Sequence, residues 1–112
     1  MGQIIDISGK ITNELPMVKI TDELVVTVNN RKNDIMNMQA MILEEQRKAE
    51  KGDGTFNEIE MIGRTLEMLV GKKMAKEIEN MNLPLPDYKT VYTAVMAAAT
   101  GSSLEDAEKV FR

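Results

Sequence analysis

The stretch KGDGTFNEIE, residues 51–60, contains the residue types of the second half of an EF-hand calcium loop. When its second glycine is set at the invariant glycine position, Asp53 stands at position 5 and Glu60 at the bidentate position 12. Positions 1 and 3 then fall on Ala49 and Lys51, so a methyl group and an ammonium replace two carboxylates that the ion needs. We therefore predict no calcium site, no other metal site and no cofactor.

A helix start explains the same stretch without a metal ion. Thr55 as the N-cap residue and Glu58 three positions later form a capping-box pattern. Gly52 and Gly54 allow the positive φ angles of a turn before it, and Phe56 begins an apolar stripe. The stretch is thus predicted to be the corner of a helix-loop-helix, with the second helix beginning at Thr55.

Two missing residue types narrow the chemistry further. The chain has no histidine and no cysteine, so it cannot form a Ser-His-Asp triad, a Cys-His nucleophile pair, a Cys/His zinc site or a disulfide. Asp and Glu total 18 residues, but no pattern places two of them together in a pocket for acid-base catalysis. We expect no catalytic residues and no enzymatic activity.

The charge and the hydropathy pattern bear on partners and location. The formal net charge is -4 and no long basic run offsets it, which argues against nucleic acid as a partner. No apolar run reaches the roughly 18 residues of a membrane span, and the N-terminus lacks the pattern of an export signal. The sequence predicts a cytoplasmic protein without a membrane partner.

At 112 residues the chain has the length of one domain with a single core. Changes of pattern divide it into four segments. These are a strand or hairpin segment at 1–29, a helical hairpin plus a short helix at 30–81, a Pro-rich connector at 82–86, and C-terminal helices at 87–112.

Alternating apolar residues in the N-terminal segment predict a β-hairpin that pairs 17–21 with 24–29. The alternating positions are Val18, Ile20, Leu24, Val26 and Val28. Asp22 and Glu23 are expected at the turn, although they lack the glycine that two-residue turns prefer. Residues 3–11 form a weaker strand candidate.

Helical periodicity begins after Asn29 and Asn30, whose side chains are expected to cap the first helix. Five helices are predicted, at about 31–48, 55–70, 72–81, from Pro86 to Gly101, and at 104–111. The predicted fold class is therefore mainly α: a compact helical domain of about five helices with a small N-terminal β-hairpin.

Each of the two long helices has an apolar stripe at core spacing. In the first helix this stripe consists of Ile35, Met38, Met41 and Ile42. In the second helix it consists of Phe56, Ile59, Ile62, Leu66, Leu69 and Val70.

Both helices also carry a second apolar stripe, which is Met36, Ala40 and Leu43 on the first helix and Met61 and Met68 on the second. Two explanations are open. Both stripes are buried in the monomer, or the second stripes bind a partner or another copy, since the flexible methionine thioether adapts to varied surfaces. These five residues are the candidate association surface.

Three stretches together cover nearly the whole chain: ELPMVKITDELVVTVNNRKNDIMNMQAM, EIEMIGRTLEMLVGKKMAKEIENMNLPLPDYKTVYTAVMAAATG and SLEDAEKVFR. In order, length and pattern they resemble the tail assembly chaperones of long-tailed phages and prophages of Gram-positive bacteria.

The resemblance implies a small, mainly helical, non-enzymatic protein. Such a chaperone binds the tape measure protein, helps recruit major tail protein around it during tail morphogenesis, and tends to self-associate. It acts in the cytoplasm of the bacterial host and is not expected in the mature virion. A longer frameshifted form is common in the family, and the amphipathic pattern that runs to Phe111 and Arg112 fits either such a continuation or a C-terminal helix with a frayed end. A small cytoplasmic helical regulator, antitoxin-like or DNA-associated, is the alternative.

Overall fold

The computed structural model of the protein describes residues 2–52 and 57–101. Its elements are β1 (Met17–Lys19), β2 (Val25–Thr27), α1 (Lys32–Glu50), α2 (Glu58–Val70), α3 (Lys72–Asn80) and α4 (Leu85–Thr100). The predicted class, mainly helical with a small N-terminal hairpin, is confirmed. Four helices lie in the described residues, and the predicted helix at 104–111 falls outside them.

The hairpin turn is held by a threonine side chain rather than by a glycine. The Leu24 N–H donates to the carbonyl of Thr21 at 3.2 Å and to the hydroxyl oxygen of Thr21 at 3.0 Å. This side-chain bond stabilises a turn that Asp22 and Glu23 occupy, as the sequence predicted.

The two strands are antiparallel, with Val18 opposite Val26. Val26 and Val28 are fully buried, whereas Met17 and Val25 on the other face are exposed. The predicted alternation is therefore confirmed, and one face of the hairpin covers the helical core.

The weak strand prediction for 3–11 was wrong. Residues 2–15 are exposed and contain only a short 3-10 turn, Ser8–Lys10. Asp6 Oδ1 accepts hydrogen bonds from the backbone N–H of Ser8 at 2.9 Å and from its hydroxyl at 2.7 Å. Such local side-chain bonds offer the backbone an alternative to strand pairing.

The predicted capping of α1 by Asn29 and Asn30 was also wrong. The N-cap position is Arg31, whose side chain makes no cap bond. Asn29 acts one step earlier: its Oδ1 accepts from the Arg31 N–H at 3.0 Å, and its Nδ2 donates to Asp34 Oδ2 at 2.7 Å. It therefore fixes the direction in which the chain enters the helix.

Helix α2 begins at Glu58, later than the predicted start at Thr55, which lies outside the described residues. The N-cap residue is Asn57, whose Oδ1 accepts from the N–H groups of Ile59 at 3.0 Å and Glu60 at 3.2 Å. The later start leaves Ile59 in the first turn with 40% of its surface exposed, so its placement in the core stripe is corrected.

A glycine corner folds α3 back along α2. Gly71 has φ 89° and ψ 156°, a conformation that is essentially restricted to glycine, and its N–H donates to the carbonyl of Glu67 at 3.0 Å. Beyond α3, the connector is shorter than the predicted 82–86, because α4 already begins at Leu85. Pro86 lies in its first turn, where a missing N–H is harmless.

Helix α2 contacts α1, α3 and α4, and α4 also contacts β1. The largest fully buried side chains are Met38, Ile62, Leu66, Leu69, Ile78, Val26, Val28, Val95 and Thr65. The predicted core positions 62, 66 and 69 are thus confirmed, and Val70 is half-buried. Phe56, also predicted for the core, lies outside the described residues.

Candidate association surfaces

The second stripe of α1 lies on the surface of the protein. Met36 is 57% exposed and Leu43 is 63% exposed, and Ala40 between them is also exposed. Met38, which points to the opposite side of the helix, has no exposed surface. These three residues, called here the α1 stripe, form an apolar strip that no described part of the chain covers.

The distal half of α1 stands at the edge of the core. The helix has 19 residues and is about 28 Å long, but Met38 is its only fully buried side chain. Of the α1 residues after Ile42, Glu45 alone is half-buried, and the others are exposed. Its Oε1 accepts a hydrogen bond from Arg64 of α2 at 2.7 Å. One partly screened ion pair therefore anchors a stretch that is otherwise solvated.

Met61 and Met68 of α2 are placed differently. Both are half-buried, and Met68 packs against the core cluster. Met61 lines a cavity of about 170 Å³ together with Ile42 and Tyr92. The structure thus separates the five candidate residues into an exposed set on α1 and a pair on α2 that packs largely within the monomer.

A second surface, which the sequence reasoning missed, is the groove between the antiparallel helices α2 and α3. Its volume is about 760 Å³. The floor contains Leu66 and Ala75, which are almost fully buried, and the half-buried Gly63. Tyr88 of α4 and Glu79 of α3 close one end. The sequence signal was available, since a glycine inside a helical pattern usually has a packing or functional reason.

Charged residues line both sides of this groove. Glu60, Arg64 and Glu67 line it from α2, and Lys72, Lys76 and Glu79 line it from α3. Glu60 lies 3.9 Å from Arg64, whereas Glu67 and the two lysines make no ion pair within 4 Å among the described residues. The α2 wall is therefore largely acidic at its Glu67 end, and the α3 wall is basic there.

Both tyrosines of the chain have perturbed acidity. Burial, the hydrogen bond to Glu79 and the negative charge of Glu79 together raise the pKa of Tyr88 well above its usual range. Burial raises the pKa of Tyr92, with a smaller contribution from the negative charge of Glu58. Both phenols are therefore held in the neutral form, as structural groups would be.

The N-terminal arm, residues 2–15, exposes several aliphatic side chains. Ile4 is 91% exposed, Ile5 83% and Ile11 61%. The arm is attached to the domain where Arg31 donates to Asn13 Oδ1 at 3.2 Å and to its carbonyl at 3.3 Å. The attachment leaves the isoleucines in solvent.

The described residues contain neither a cluster of metal ligands nor a membrane-spanning helix. Across 2–52 and 57–101, no group of three or more acidic side chains is placed to hold a metal ion, and Asp53 lies outside these ranges. No helix of that part of the chain is long and apolar enough to cross a membrane.

Comparison with known proteins adds no relative: no family model matches the chain, and neither a curated protein nor a solved structure matches it.

Proposed function

We propose that this protein is a non-enzymatic phage tail assembly chaperone that acts in the cytoplasm of the bacterial host. It binds the tape measure protein, helps recruit major tail protein around it, and self-associates through the α1 stripe. The order and pattern of the sequence motivate the family, and the exposed α1 stripe supplies the association surface that such a role requires.

The exposure of Met36, Ala40 and Leu43 is the observation that carries the proposal. Met36 and Leu43 are large apolar side chains, each more than half exposed, and they lie two helical turns apart. Leaving this apolar surface in contact with water costs free energy. A second copy that packs its own α1 against this strip would bury them. The methionine adapts to the imperfect fit of such a helix pair, and the small Ala40 allows the helices to approach.

The test combines light scattering with co-purification. The proposal predicts that a tape measure gene lies beside this one, and its product is expressed with the wild-type chain and with the double variant Met36→Glu/Leu43→Glu. We expect concentration-dependent self-association and a stable complex for the wild type, and loss of self-association for the double variant. Both substituted side chains are exposed, so the variant is expected to fold.

The matched control is Asn37→Glu/Gln39→Glu, which adds the same number of glutamates at exposed polar positions of the same helix. It should self-associate like the wild type. A wild-type chain that stays strictly monomeric at high concentration and captures no tape measure protein would contradict the proposal. Tight, sequence-selective DNA binding in a gel shift at moderate salt would instead favour the regulator.

A further inference from the structure

We propose that the α2/α3 groove is a docking site for one amphipathic helix of the client protein. This helix carries basic residues along one of its flanks and acidic residues along the other. The identification of the client with the tape measure protein rests on the proposed function. The site itself rests on three features: a glycine that the monomer does not require, the groove's shape, and the opposite charges of its two walls at the Glu67 end.

Gly63 is the first feature. A glycine inside a helix destabilises it by roughly 0.5–1 kcal/mol relative to alanine, so its presence needs a reason. Its own neighbours do not supply one. A Cβ at this position would stand 3.7 Å from the Tyr88 hydroxyl oxygen and 3.9 Å from Glu79 Oε1, which are ordinary contact distances. Alanine would therefore fit the monomer, and the open space above Gly63 is available to an approaching chain.

The shape of the groove indicates what approaches. Helices α2 and α3, joined at the Gly71 corner, leave between them a trough that extends from Lys72 to Glu79, about 10 Å or two helical turns. A third helix packs into such a trough by placing its side chains between those of the pair, and a glycine in the floor permits the close approach. An aliphatic side chain above Gly63 would also cover Ile59, which is 40% exposed at the groove edge.

The charges of the two walls indicate which charges a docked helix carries on each of its flanks. Lys72 and Lys76 lack an ion-pair partner within the described residues, and so does Glu67 on the opposite wall. A docked helix with acidic residues beside the lysines and basic residues beside Glu67 would complement both walls. A helix with one kind of charge on both flanks would be repelled by one wall, which gives the site selectivity.

The probe is a synthetic amphipathic peptide of about five helical turns with leucines along one face, lysines on one flank and glutamates on the other. A second peptide of identical composition, with lysine and glutamate mixed on both flanks, is the control. Binding to the full chain is measured by titration, and the site is located from backbone amide shifts. We expect the segregated peptide to bind roughly threefold to tenfold more tightly, with the largest shifts around Gly63 and Lys76.

Gly63→Leu tests the site directly, because its side chain would occupy the space above the groove floor. Gly63→Ala is the matched control. After unfolding curves show that both are folded, Gly63→Leu should weaken the segregated peptide at least about tenfold, and Gly63→Ala by less than about threefold. Lys72→Glu/Lys76→Glu, at two exposed positions, should remove the preference for segregated charge while the fold is retained.

The proposal is overturned if Gly63→Leu binds the segregated peptide as the wild type does, or if the amide shifts map to the α1 stripe. Failure of the proposed function looks different. In that case the wild-type chain captures no tape measure protein, whatever the peptides do. If the wild type and Gly63→Leu capture tape measure protein equally well, the chaperone role stands and the groove is not its client site.

Discussion

The hydroxyl of Tyr88 on α4 donates a 2.6 Å hydrogen bond to Glu79 Oε1 on α3. Tyr88 is 8% exposed, so its hydroxyl needs a partner, and a carboxylate is a stronger acceptor than a neutral oxygen. The bond joins α3 and α4 across the end of the α2/α3 groove. The pKa of Tyr88 therefore depends on how α2, α3 and α4 pack against one another.

Alkaline pH should destabilise the protein through this bond. Burial and Glu79 raise the folded-state pKa of Tyr88 above the unfolded value of 10.0, so the neutral phenol is favoured in the folded state. Its contribution to stability is fully present below pH 10 and is lost as the pH rises above that value. We expect tyrosinate absorbance to appear only well above pH 10 in the folded chain. Tyr88→Phe should make stability less dependent on pH in that range, and an absorbance midpoint near 10 in the wild type would contradict this expectation.

Replacing Gly71 and Gly63 by alanine should change the free energy of unfolding in opposite directions. Gly71→Ala places a Cβ on a backbone with φ 89° and should lower the free energy of unfolding by about 1–3 kcal/mol. Gly63→Ala finds space and gains helix propensity, so it should raise stability by up to about 1 kcal/mol. Urea unfolding of both variants measures the two changes. A loss of stability in Gly63→Ala would mean that the glycine serves packing within the monomer.

Asn57 rather than Thr55 should carry the cap of α2. Asn57→Ala removes the acceptor for two backbone N–H groups and should cost about 1 kcal/mol in thermal or chemical unfolding. Asn57→Asp keeps an acceptor and should stay near the wild type. Thr55→Ala is the control for the capping box that the sequence pattern predicted. A larger loss in that control than in Asn57→Ala would restore the sequence prediction.

Replacing Leu66 of α2 by alanine should lower stability much more than the same change at Leu43 of α1. Leu66 is 1% exposed, so Leu66→Ala should lower the free energy of unfolding by about 2–5 kcal/mol. Leu43→Ala, at a position that is 63% exposed, should change monomer stability by no more than about 0.5 kcal/mol. Denaturant unfolding at low protein concentration makes the comparison without a contribution from association. Equal losses would mean that the α1 stripe is covered in the monomer.

Glutamate at Met68 and glutamate at Met36 should affect different properties, the first stability and the second self-association. Met68 packs against the core, so Met68→Glu buries part of a charge and should destabilise the monomer. Met36→Glu adds its charge to an exposed position and should leave the unfolding midpoint unchanged while it weakens self-association. Light scattering and thermal unfolding on both variants separate association from stability. If Met68→Glu keeps its midpoint and only association changes, the α2 pair belongs to the association surface after all.

Much of the local structure was predictable because it depends on neighbours in sequence. The alternation around Val26 and the helical spacing of Ile62, Leu66 and Leu69 gave the correct elements and the correct buried faces. The exact helix ends did not follow from the pattern, because neighbouring polar residues compete for the capping position. Asn57 and Thr55 are both good N-cap residues, and the pattern alone ranked the wrong one first.

The sequence by itself determined that α1 and α2 each carry two apolar stripes, since spacing along a helix fixes which side chains share a face. It also placed glycines at positions 63 and 71. Only the tertiary structure decided which stripe is exposed, because burial depends on which other elements pack against a helix. α4 lies against α2 and so half-buries Met61, whereas no described element covers Met36. The Gly71 corner folds α3 back along α2, and that contact between distant residues creates the groove above Gly63.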